Sequence, residues 1–196
     1  MSATPTVRRR GEALEAAIYD AVWAELAEVG YAGLTIGAVA DRARTSKAVL
    51  YRRWPGRAEL VFAALVQHVP KAADVPDTGD LRSDLVTFLR SIAANWATRS
   101  IDALWGLLAE TARDPALAAL VRSELADQVR EGPMTVMVER AVRRGEVDPA
   151  VVSPRMLRVP LDLVRSELLL NGAITGTAVE EIVDDVFLPL VRPRTV

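Results

Sequence analysis

Thr-Ser-Lys-Ala-Val-Leu-Tyr-Arg-Arg-Trp, residues 45 to 54, carries three cations and two large aromatic rings within about three helical turns. Widened to residues 42–57, the window holds Arg42, Arg44, Lys47, Arg52, Arg53 and Arg57 and not one Asp or Glu. The chain as a whole is acidic, with a net charge of −2. One sign of charge gathered in a single segment, against the sign of the whole chain, points to a negatively charged partner there.

The local pattern explains how the segment is presented. Thr45 or Ser46 can cap a helix running to about Arg53, and Pro55-Gly56 stops it. On that helix Leu50 and Trp54 share one side, while Lys47, Ala48, Tyr51 and Arg52 lie on the other, so one face anchors and the other reads. Just upstream, Thr35 precedes Ile36, Val39 and Ala40 as the N-cap of a short amphipathic run; the acid of a capping box is missing because Ala38 stands there. Only a tight turn fits between Ala43 and Ser46, which makes the pair a helix-turn-helix pattern. Before it, Leu14, Ile18, Ala21, Val22 and Leu26 define a first helix from Glu12, with Gly30 positioned to end it.

Downstream, Leu60, Val61, Ala64 and Leu65 predict a fourth helix from Arg57 to Val69, stopped by Pro70. Residues 70–80 read as a loop. Helices are then predicted over residues 81–96, 100–113, 115–131, 133–144, 154–170 and 177–191, and no strand pattern appears, so the fold class is all-α. Charge divides the chain: residues 1–57 hold nine Lys/Arg against six Asp/Glu, and the remainder holds fifteen against twenty. The expected organisation is an N-terminal arm and helix-turn-helix domain over residues 1–57, the end that faces the negatively charged partner, followed by an all-helical domain over residues 58–196.

At 51% apolar and 26% charged, the 196 residues suit a globular protein with a substantial core. No cysteine is present, which excludes disulfides and thiolate metal sites. No secretory signal opens the chain. Its apolar stretches are interrupted by charge well short of the roughly 20 residues that span a bilayer, so no membrane partner and a cytoplasmic location are expected.

A single helix fits the roughly 12 Å wide major groove of B-DNA, and the small Ala48 and Val49 allow close approach to base edges. Lys47 and Arg52 can donate to guanine acceptors. Thr35, Thr45, Ser46, Tyr51 and the first amides of the two short helices suit phosphate oxygens, while Arg44, Arg53, Arg57 and the arm Arg8-Arg9-Arg10 add charge that releases counterions.

Gly30-Tyr31, Leu34-Thr35-Ile36 with Val39-Ala40, and Ser46-Lys47 with Leu50-Tyr51 and Arg52-Arg53-Trp54-Pro55 together resemble the DNA-binding region of the tetracycline-repressor family of bacterial transcription regulators. The resemblance covers residues 12 to about 65. It departs at Arg44 and Thr45, where the family usually has a glycine and an apolar residue, and at Ala48 and Val49. Arg44 then implies either an unusual turn conformation or an added phosphate contact. The resemblance implies a double-stranded DNA operator of near-palindromic sequence and a homodimer paired through the last two helices, with Leu161, Leu168, Val183 and Phe187 as its seam. It also implies a small, largely apolar effector among the middle helices, for which His68, Phe88, Ile92, Trp96, Trp105 and Met134 are the candidates.

For Trp96 and Trp105 a helical apolar stripe favours core packing over a pocket role, and His68 reads first as an ordinary helix-end residue. The acidic pairs Glu180-Glu181 and Asp184-Asp185 read as a solvated face without metal. No Ser/His/Asp cluster or glycine-rich phosphate loop is present, so no catalytic constellation can be assembled and no cofactor is expected. A helical small-molecule carrier or interaction module without a regulatory role is the rival reading.

Overall fold

The three- and four-residue steps of the apolar positions are realised as helices throughout. The computed structural model describes residues 5–67, 70–97 and 101–192, and no strand occurs among them. In chain order the helices are α1 (Pro5–Gly33), α2 (Ile36–Arg42), α3 (Lys47–Tyr51), α4 (Arg57–Val66), α5 (Leu81–Ala97), α6 (Ile101–Thr111), α7 (Pro115–Glu131), α8 (Pro133–Arg144), α9 (Pro154–Asn171), α10 (Gly176–Glu181) and α11 (Leu188–Val191), with a π-helical segment, Ile182–Phe187, between the last two. No helix among the described residues is long and apolar enough to cross a membrane.

By internal contact the chain divides into two units, Met1–His68 with Asp102–Leu117, and Val69–Ile101 with Ala118–Val196. A single cut after residue 57 does not reproduce this grouping. The reason is burial: Leu60, Val61 and Ala64 of α4 are fully enclosed together with the first helices, and Ala103 and Leu107 of α6 are buried in the same unit.

In the first unit, Gly30 interrupts the helical backbone of α1 with φ 67°, where the sequence places an end, and one further turn follows to Gly33. Thr35 caps α2, its hydroxyl accepting the Ala38 N–H at 3.1 Å. Of the two candidates for the next cap, Ser46 takes the role, accepting the Val49 N–H at 3.4 Å, and Arg52 closes a helix shorter than the predicted one. Leu50 is fully buried and Trp54 nearly so, the latter edge-on to Tyr19 with ring centroids 5.8 Å apart. Two hydrophobic anchors of this kind, each contributing roughly 1.5–3 kcal/mol by burial, fix α3 against α1 and α2 and leave its other face to solvent.

The second unit packs α5, α8 and α9 with the terminal helices around Leu85, Phe88, Leu89, Met137, Val138, Val164 and Phe187. At its edge Asp84 is completely buried; its Oδ1 accepts the Thr78 N–H at 2.7 Å and the Thr78 hydroxyl at 2.8 Å, which ties the residue 70–80 loop to the start of α5. The expected dimer seam is corrected here. Leu168, Val183 and Phe187 are fully buried in the chain's own core, where they hold α9 and the terminal segment together, and a second copy has no access to them. Leu161 is half-buried against the same core. The apolar residues that these elements do present are Leu170, 74% exposed, Val186 and Leu190. The π-helical turn, in place of the continuous helix predicted over residues 177–191, faces Ile182, Val183 and Phe187 inward and leaves Val186 outside.

Candidate nucleic-acid interface

The cations of residues 42–57 fall into two sets that their sequence does not distinguish. Arg42 donates Nε to Glu25 at 2.7 Å and Nη2 to Glu28. Arg53 donates to Glu15 at 2.9 Å and lies 6.0 Å from the Trp54 ring. Arg57 donates Nη2 to Glu110 at 2.6 Å and Nη1 to the carbonyls of Tyr31 and Ala32, with its guanidinium 4.9 Å from the Tyr31 ring. Hydrogen bonding to their carboxylates raises both Arg42 and Arg57 above the ordinary arginine range. These three side chains brace the helices.

The second set is Arg44, Lys47 and Arg52. All three are exposed, and none makes an ion pair among the described residues. Tyr51, 55% exposed, and Ala48 stand beside them on the outer side of α3, with Val49 half-buried. Lys47 reaches back across Gly37, whose missing side chain leaves room for the lysine stem. Its ammonium therefore rests over Gly37, on the side of the Thr35 cap. A surface with three cations unpaired among the described residues, one phenol and the Thr35 and Ser46 caps, spread over two short helices and the turn between them, has the chemistry to hold phosphate oxygens and to enter a groove. Of the predicted DNA-contact residues, the structure brings Thr35, Arg44, Thr45, Ser46, Lys47, Ala48, Tyr51 and Arg52 to this face; it engages Arg53 and Arg57 internally.

Arg57 belongs to an arrangement that local pattern did not reveal. Asp102, Gly106 and Glu110 follow one another at four-residue steps along one face of α6. The Asp102 carboxylate accepts the Tyr31 N–H at 2.5 Å, Gly106 lies under the Tyr31 ring, and Glu110 holds Arg57. One face of α6 thus grips the junction of α1 and the first turn of α4. The four-residue spacing of two acids around a glycine was the available signal, but its partners lie 71 and 53 residues away.

The predicted effector residues fall in both units. Phe88, Ile92 and Met134 are closed into the core of the second unit. Trp105 belongs to the other unit and is 49% exposed on α6. His68 and the side chain of Trp96 lie outside the described residues. A groove of about 770 Å³ in the second unit is lined by Ala126, Val129, Arg130, Ser153, Pro154, Arg155, Arg158 and Asp162, none of which sequence reasoning selected. Among the described residues no group of three or more His, Cys, Asp or Glu could hold a metal ion.

A capped, solvent-facing helix with free cations, set on a helix-turn-helix and followed by a larger helical unit, defines a DNA-binding transcriptional regulator. Residues 18–64 match the model of bacterial regulatory proteins of the tetR family, and residues 75–186 match that of the tetracyclin repressor-like C-terminal domain. The chain belongs to the TetR family. It is 36% identical over 171 residues to an HTH-type transcriptional regulator of Mycobacterium tuberculosis, covering 87% of this chain and 84% of that one. It is 32% identical to the DNA-binding transcriptional repressor TetR of Mycobacteroides abscessus, over 94% of this chain and 97% of the relative. Among solved structures, the TetR family transcription regulator SCO0332 superposes with a TM-score of 0.69 at 26% identity over 92% of this chain and 99% of that chain. The flavonoid-responsive regulator FrrA superposes with a TM-score of 0.56 at 25% identity, over 93% and 98%.

Proposed function

We propose that this regulator is a cytoplasmic repressor that binds a near-palindromic operator as a homodimer and releases it on binding a small molecule. The observation that carries the DNA contact is the division of the cations: three are consumed by the fold, and Arg44, Lys47 and Arg52 are left facing solvent. Lys47 and Arg52, with Ala48 between them on the same face, contact bases; Thr35, Thr45, Ser46 and Tyr51 contact phosphates. Residues 1–57 supply the arm and reading helix, α4 and α6 complete their unit, and the second unit supplies effector binding and dimerisation. The repressor named above supports repression as the output, and FrrA, a flavonoid-responsive regulator, supports a small-molecule effector.

For the dimer, Leu170 of α9, Val186 of the π-helical segment and Leu190 of α11 offer exposed apolar side chains. Light scattering of the full chain is expected to report twice the 21.3 kDa chain mass. Replacing Leu170 and Leu190 by Glu is expected to give a folded monomer, and a dimer that survives both charges would move the interface elsewhere. Selecting bound duplexes from random-sequence and genomic DNA tests the reading as a whole. An inverted repeat with half-sites about one helical turn apart is expected, and recovery of no enriched sequence would contradict it.

A further inference from the structure

The turn between α2 and α3 holds an anomaly that the fold does not need. The Arg44 N–H donates to the Asp41 carbonyl at 3.1 Å and the Thr45 N–H to the Ala40 carbonyl at 2.9 Å. This pair of bonds closes a helix C-terminus when the residue after the cap turns left-handed. Arg44 is that residue, with φ 53°, and among the described residues it is the one non-glycine with positive φ.

The same chain closes α8 with the same two bonds. There the Gly145 N–H donates to Val142 and the Glu146 N–H to Ala141, both at 3.0 Å, and the left-handed position is glycine at φ 80°. In that conformation a Cβ crowds the following carbonyl, and glycine removes the clash. Position 44 therefore carries conformational strain that glycine would relieve. Arginine gains nothing inside the molecule in exchange. Its side chain is exposed and has no ion pair among the described residues, whereas Arg42, Arg53 and Arg57 each have one.

We propose that Arg44 is kept in this strained turn to place its guanidinium on a phosphate of the bound DNA, so that a single residue exchanges stability for affinity. The proposal rests on reading α2 and α3 as the DNA interface. A phosphate is the partner because Arg44 stands in the turn ahead of α3 and not on the helix face that carries Lys47, Ala48, Tyr51 and Arg52, and because a guanidinium fork suits paired phosphate oxygens.

The test uses Arg44→Gly, Arg44→Gln and Arg44→Lys in the full chain, with the duplex that the wild type selects from random-sequence DNA as probe. Arg44→Gly is expected to leave the melting midpoint unchanged or to raise it by up to about 2–4 °C, since relief of strain opposes the greater freedom glycine gives the unfolded chain. Arg44→Gln, which keeps the strain, leaves the midpoint unchanged. Both weaken binding at 0.1 M salt by about eightfold per lost contact, and both flatten the slope of log K against log salt by about 0.9 per half-site. Arg44→Lys restores most of that slope, and the sequence selected by each variant stays the same. A lowered midpoint in Arg44→Gly would make the residue structural and overturn the proposal. So would unchanged affinity and slope, or a changed selected sequence, which would assign Arg44 to a base. If the wild type itself selects no duplex, the DNA-binding reading fails and the proposal with it; if it selects one that Arg44→Gly holds equally well, only the proposal fails.

Discussion

Exchanging Lys47 and Arg52 together for alanine is expected to weaken binding to the selected duplex about four-thousandfold at 0.1 M salt. Each cation meets the duplex once per half-site, so a dimer loses four contacts, each contributing about eightfold in that salt. Neither side chain has an ion pair among the described residues, and both are exposed. Their removal is accordingly expected to move the melting midpoint by no more than about 1–2 °C, the range of ordinary surface substitutions in a chain of this size. Fluorescence anisotropy of the labelled duplex and thermal unfolding by circular dichroism separate the two effects. Arg42→Ala and Arg53→Ala should behave in the opposite sense, losing their pairings to Glu25, Glu28 and Glu15 while largely sparing the affinity. An affinity loss below tenfold in the double variant would remove Lys47 and Arg52 from the interface.

Gly106→Ala is expected to lower the melting midpoint by about 5 °C or more, against the sign that helix propensity alone predicts. In an ordinary helix interior the change would stabilise by roughly 0.5–1 kcal/mol. Here the added Cβ would lie 2.1 Å from Cδ1 and 2.4 Å from Cγ of the Tyr31 ring. The ring has little room to retreat. Tyr31 is 4% exposed, its backbone N–H donates to Asp102, and the Arg57 guanidinium covers the ring at 4.9 Å. Overpacking of this kind costs about 1–3 kcal/mol, occasionally more, and each kcal/mol moves the midpoint by about 2–4 °C in a chain of this length. A raised midpoint would mean that α6 does not seat against Tyr31 as described. Because the same contact positions Arg57 at the first turn of α4, the variant also tests whether the grip of α6 matters to DNA affinity.

The features legible in the sequence are those set by neighbours along the chain. Thr35 and Ser46 could be read as caps because a cap bonds an amide three residues away, and Leu50 with Trp54 could be read as anchors because helical periodicity puts them on one side. The misfit of Arg44 with its turn was legible only through the resemblance, which places a glycine there. The roles of Arg42, Arg53 and Arg57 were not. A cation is free or braced according to which carboxylates other helices bring to it, and Glu110 reaches Arg57 only through the packing of α6. The dimer seam failed on a related ambiguity. An apolar stripe has the same period whether it faces the chain's own core, as Leu168, Val183 and Phe187 do, or a second copy, as Leu170 and Leu190 are free to do. The effector residues were drawn from stripes of that kind, and Phe88, Ile92 and Met134 proved to be core.

In the proposed complex Arg44, Lys47 and Arg52 of each of two chains meet one duplex. Titrating the full-length wild-type chain against its selected duplex across a series of salt concentrations tests it most directly. Two chains per duplex and a slope of log K against log salt of about −5 or steeper are predicted, from six free cations at about 0.9 each. A single chain per duplex, or a slope shallower than about −2, would contradict it.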